Sequence, residues 1–244
     1  MTAEQGQERF DALQQNEDEH REQYAALTAP RSIQVLSQFM VTGGALFALL
    51  LGITVAGTSF STGFMRTAVT VTARRRRLLL LHLGGGIIIW SGAVIAVVVL
   101  GLLAGFLASS LLTVAGPPSA LPITDIALAV LGIFLTGVMW IAIGTSLVVL
   151  SKSTVPAVIM GFCLLIGENF LGLANDSFQQ WLPTYGAVTL VSSGAPKLYN
   201  GLALATTAFP NDPPTVPVAL ILLTAITLVA TQFGLWRFSR ADLE

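Results

Sequence analysis

The stretch ITDIALAVLGIFLTGVMWIAIGTSLVVL, residues 123–150, decides the fold class. Its single charged side chain is Asp125, close to its start. A helix that crosses roughly 30 Å of hydrocarbon needs about 20 apolar residues, and this stretch exceeds that. Lipid offers no partner for backbone N–H and C=O groups, so such a segment has to be a helix. Working outward, four more stretches meet the same requirement: residues 33–57, 82–112, 154–174 and 216–238. Whole-chain composition agrees. Of 244 residues 54% are hydrophobic and 10% charged, with mean hydropathy +0.77. Soluble domains carry about 25% charge, and a soluble fold has nowhere to hide this much apolar surface. The expected fold class is therefore all-α, a polytopic transmembrane helix bundle of five spans.

A sixth apolar stretch, residues 178–208, is broken by Pro183, Gly186, Pro196, Lys197 and Gly201. Its reading is a pair of short re-entrant or interfacial helices, which protein or water must cover. Trp181 and Tyr185 suit an interface position.

Positive charge orients the chain. The loop at 58–81 holds Arg66, Arg74, Arg75, Arg76 and Arg77, and is expected to be cytoplasmic. Lys152 two spans later, and Arg237 with Arg240 at the end, fall on the same side. The opposite loops contain one basic residue, Lys197. Residues 1–31, with seven acids and three arginines, are then external. Two regions follow: an acidic polar segment at 1–31, and a transmembrane region at 32–244 with its cytoplasmic loop at 58–81. Within the first, Phe10, Leu13, Tyr24 and Leu27 are sparse apolar residues, compatible with a polar helix or with a solvated tail. Glycines at 84–86 and at 101 and 105 give small-residue faces on which helices can approach closely.

The sequence holds no catalytic set. A Gly-x-x-x-x-Gly-Lys-Ser/Thr phosphate loop is lacking, so the chain binds no ATP by that route. No spacing of His, Cys, Asp or Glu matches a metal site. The lone Cys163 lies in apolar surroundings and is expected to be a buried structural thiol. Glu168, followed by Asn169, is the acid set deepest in an apolar run and is a candidate for the translocation path. The arginine run 74–77 reads as a cytoplasmic anchor on lipid phosphates. Ahead of it, Phe60, Phe64 and Met65 recur at helical spacing beside Arg66, which suits a short cytoplasmic helix with a protein partner.

Ser59-Phe60-Ser61-Thr62-Gly63-Phe64-Met65-Arg66-Thr67, then Arg74, Arg75, Arg76 and Arg77, then His82, resemble the coupling helix, linker and next span of permeases in bacterial type-2 ATP-binding-cassette exporters. The similarity continues through Ile143-Gly144-Thr145-Ser146-Leu147, Ser151-Lys152-Ser153-Thr154, Trp181-Leu182-Pro183 and the ending Arg237-Phe238-Ser239-Arg240-Ala241-Asp242. It covers roughly residues 35–244. Ser59 stands where the family often has Glu, and His82 where it often has Lys. The family usually has six spans with the coupling helix after the second; here it follows the first, so either the first span is absent, leaving an external N-terminus, or the true start lies upstream.

What the resemblance implies is a permease subunit with no catalytic residue, metal or cofactor of its own. ATP and Mg would sit on a partner ATPase. Phe60, Gly63, Phe64, Met65, Arg66 and Thr67 would couple to that ATPase, and a second permease, identical or homologous, would complete the path. Other expected contacts are with membrane lipid, and none with nucleic acid. The expected location is the cell membrane of a bacterium, with the C-terminus cytoplasmic. A second reading is a membrane scaffold or sensor subunit that binds a partner through residues 1–31.

Overall fold

The computed structural model describes residues 31–62, 75–111, 123–174, 180–192 and 214–240. They form six helices and, among the described residues, no strand. These are α1 (Arg31–Ser61), α2 (Arg75–Leu111), α3 (Ile123–Ser151), α4 (Thr154–Ala174), α5 (Pro183–Ser192) and α6 (Val216–Arg240). Four of them, α1, α2, α3 and α6, are long and apolar enough to cross a membrane. α4 contains a shorter apolar stretch, Thr154–Glu168.

α3 is the axis of the bundle and packs against each of the other five helices. Half of its apolar window is buried, against 17% for α2 and for α6. Three glycines bring three neighbours close. Gly132 lies against Leu190 of α5, Gly137 against the indole of Trp90 of α2, and Gly144 against Leu49 O of α1. A Cβ on Gly144 would sit 2.5 Å from that carbonyl oxygen, so only glycine lets the α1 backbone approach this far. In lipid, where apolar side chains gain little by leaving solvent, such close contact is what holds helices together. Polar ties add to it: Thr145 Oγ1 donates to Gly52 O at 3.4 Å, and Ser146 Oγ lies 2.7 Å from Ala230 O of α6. Among the described residues, the buried indole N–H groups of Trp90 and Trp140 have no acceptor.

α3 ends where Lys152 takes a left-handed conformation, φ 54°, with its N–H on Val148 O at 2.8 Å. Two residues later α4 begins. α4 packs chiefly on α3 and α1, so much of its circumference faces outward. That is why Cys163, expected to be buried, is exposed.

Sequence and structure differ at three further places. α1 runs to Ser61, past the expected end of the span at residue 57. The arginine run does not form a linker throughout, because Arg75 already opens α2. In the broken stretch, Pro183 starts a helix instead of interrupting one. Proline is suited to the first helical position, where its missing N–H is not needed. The resulting α5 lies inside the bundle, against α1, α3 and α6. Tyr185 is therefore 1% exposed, whereas Trp181 is 62% exposed. The remainder of that stretch, 193–208, is outside the described residues.

Candidate functional site

The candidate site is the end of the bundle where α1 stops and α2 starts. Ser59 and Phe60 sit in the last turn of α1 and diverge around it. Ser59 Oγ lies 2.6 Å from Nε2 of His82 on α2. Nδ1 of the same ring lies 2.7 Å from Leu78 O. A carbonyl can only accept, so Nδ1 donates to Leu78 O, which leaves Nε2 facing the Ser59 hydroxyl. The two positions that depart from the permease pattern are thus partners of each other.

Phe60 turns the other way. Its ring meets Phe238 of α6 edge to face, with centroids 6.0 Å apart. Phe238 is fully buried, and Leu79 of α2 and Val149 of α3 complete a small cluster separate from the main core. Four helices therefore converge at this end. Beyond the cluster, Arg240 lies 4.7 Å over the ring of Trp236, and Arg76 and Arg77 are exposed at the start of α2. Edge-to-face geometry adds roughly 0.5–1.5 kcal/mol to the burial of such an aromatic pair.

Of the coupling residues expected from sequence, Phe60 is in this cluster. Gly63, Phe64, Met65, Arg66 and Thr67 lie outside the described residues, as does Arg74. Phe60 is thus already engaged within the chain, and Phe238, which the sequence did not single out, is its partner. The only sequence signal for that pair is that both aromatics stand at the inner ends of apolar runs.

Glu168 is elsewhere, near the far end of α4. It is 7% exposed, and its carboxylate accepts the backbone N–H of Thr184 at 2.5 Å. Thr184 is in the first turn of α5, where N–H groups have no partner within the helix. Glu168 thus caps α5 from another helix, and the partial positive charge of a helix start favours an acid there. Asn169, named with it, follows on α4. Between α2 and α3 runs an open apolar cleft of about 480 Å³, lined by Ser91, Val94 and Ile95 on one side and Val130, Leu131 and Phe134 on the other. The Ser91 hydroxyl is turned to Ile87 O at 2.8 Å. Among the described residues, no three His, Cys, Asp or Glu side chains converge as metal ligands would.

Comparison with protein-family profiles, with curated proteins and with solved structures returned no match for this chain.

Proposed function

We propose that this chain is the membrane-spanning permease subunit of an ATP-driven exporter of the type-2 ATP-binding-cassette kind. Its C-terminus is cytoplasmic and residues 1–31 lie outside, in the cell membrane of a bacterium. A partner ATPase holds ATP and Mg, and its closure on nucleotide pushes on residues 62–74, between α1 and α2. Arg74, Arg75, Arg76 and Arg77 hold the base of that loop at lipid phosphates. With a second permease, the spans open a path for an amphipathic, lipid-like or drug-like substrate.

The observation that carries this reading is the tied base of the loop. Ser59 on His82 and Phe60 on Phe238 join the ends of α1, α2 and α6. A push on residues 62–74 is then shared by three helices and not absorbed by one fraying end. Phe64 and Met65 remain as the apolar residues for a groove on the ATPase, in the manner of helix-in-groove recognition.

The test is affinity purification of the tagged full-length chain from its native membranes. An ATPase subunit should accompany it, and the complex should hydrolyse ATP in a vanadate-sensitive way. Phe64→Ala should lose that partner at unchanged membrane levels, because aromatic anchors dominate such contacts at about 2 kcal/mol or more. Hydrolysis by the chain freed of other polypeptides, or full retention of the ATPase by Phe64→Ala, would refute the assignment.

A further inference from the structure

α2 is longer than the bundle it belongs to. Its 37 residues measure about 55 Å at 1.5 Å per residue. Its neighbours mark the levels along it. His82 meets Ser59 near the end of α1. At the other extreme Ser32, one residue into α1, donates its hydroxyl to Gly101 O at 2.8 Å. From Leu78 to Gly101 the helix already covers about 35 Å, more than the hydrocarbon core of a bilayer. Residues 102–111 continue for about another 15 Å. Counted from the Gly86–Ile141 contact, α3 begins near the level of residue 104. Counted from the Gly161–Leu49 contact, α4 ends below Ser32. Among the described helices, α2 alone projects.

The projection is apolar. Leu102, Leu103, Leu107 and Leu111 are between 47% and 77% exposed. Along the side that faces α1, small residues recur at helical spacing: Gly101, Ala104, Gly105 and Ala108. Gly101 is in contact with Ile33, and Gly105 is buried as well.

We propose that residues 1–30 of this same chain dock on that seat, running back along the α2 projection. The chain outside the described residues enters α1 at Arg31, beside the Ser32–Gly101 bond, so it leaves the bundle at the foot of the projection. Leu27 stands five residues before Ser32. Even fully extended, at roughly 3.4 Å per residue, it stays within about 17 Å of it, close to the length of the projection at about 15 Å. Small residues let a second segment approach closely, and Leu27 and Tyr24 supply the apolar surface that Leu102 and Leu111 on the flanks need. The short tether to Ser32 keeps this segment beside its own α2 and favours docking in cis. This inference does not rest on the exporter reading. It assigns the acidic segment to the chain's own surface instead of to a partner.

The experiment uses full-length chain in membranes, with Cys163→Ala as background. Leu27→Cys combined with Ala108→Cys is treated with a short bis-maleimide and mapped by mass spectrometry. The expected result is a Leu27→Cys/Ala108→Cys link in protein of monomer mass, and none when Leu81→Cys replaces Ala108→Cys. A link found only at dimer mass assigns the seat to a second copy and overturns the proposal, as does the absence of any link. As a second measurement, N-ethylmaleimide labelling of Ala108→Cys should rise several-fold when residues 2–28 are deleted, or with Leu27→Asp should the deletion fail to reach the membrane. Unchanged labelling means that lipid covers the seat, and also overturns the proposal.

Discussion

α3 and α2 are both long apolar helices with a set of glycines, and they use them differently, since on α2 only part of the set, Gly86 and Gly101, meets a neighbour. On α3, Gly132, Gly137 and Gly144 each receive a neighbouring helix. On α2, Gly84, Gly85 and Gly92 have, among the described residues, nothing within 4 Å of where a side chain would begin. The central helix is held by shape. The outer ones are held more by single polar ties: α2 by Ser59–His82 and Ser32–Gly101, α4 by Glu168 on α5. Lipid explains the division. It competes with side chains for apolar contact but cannot compete for backbone approach or for hydrogen bonds.

The comparison breaks most readily at Gly137. One methyl there would fall inside the indole ring of Trp90, and overpacking of a tight core costs about 3 kcal/mol. Gly137→Ala should therefore fail to accumulate as a monodisperse peak in fluorescence-detected size exclusion. Next comes Glu168→Ala. It leaves the buried Thr184 N–H without a partner, a loss of about 2 kcal/mol. Hydrogen exchange across the first turn of α5 should rise, and Glu168→Gln, which keeps an acceptor, should restore most of the protection. Ser59→Ala removes one interhelical hydrogen bond, worth about 0.6 kcal/mol in membrane proteins, and should lower thermal stability in detergent only slightly. Gly92→Leu adds four carbons to open space and should leave stability within about 0.5 kcal/mol of the parent. If Gly92→Leu proves as harmful as Gly137→Ala, the open face of α2 is covered in the membrane and the contrast between the helices fails.

The long apolar helices over 33–57, 82–112, 123–150 and 216–238 were legible because each is a long apolar run, and backbone groups in such a run pair best within a helix. The glycine roles were not. Residues 84–86 read as a helix-contact face, yet only Gly86 touches a neighbour, Ile141. What surrounds a glycine depends on which way the helix is turned, and α2 is apolar on every side, so no periodicity reports its rotation. The same lack hid the burial of Tyr185 and the exposure of Cys163. At the candidate site, Ser59 and His82 were each noticed as departures from a pattern. That they bond to one another follows only from where α1 ends and α2 begins.

The turn at Lys152 has a consequence for how the protein is made. With only Lys152 and Ser153 between them, α3 and α4 cannot be laid into a bilayer separately. No loop is long enough to wait outside while the second helix is tested for entry. α4, with a buried acid near its far end and the shorter apolar stretch, is tied to α3 as the second arm of a hairpin. Lengthening this turn would therefore alter biogenesis before it altered any contact in the finished protein.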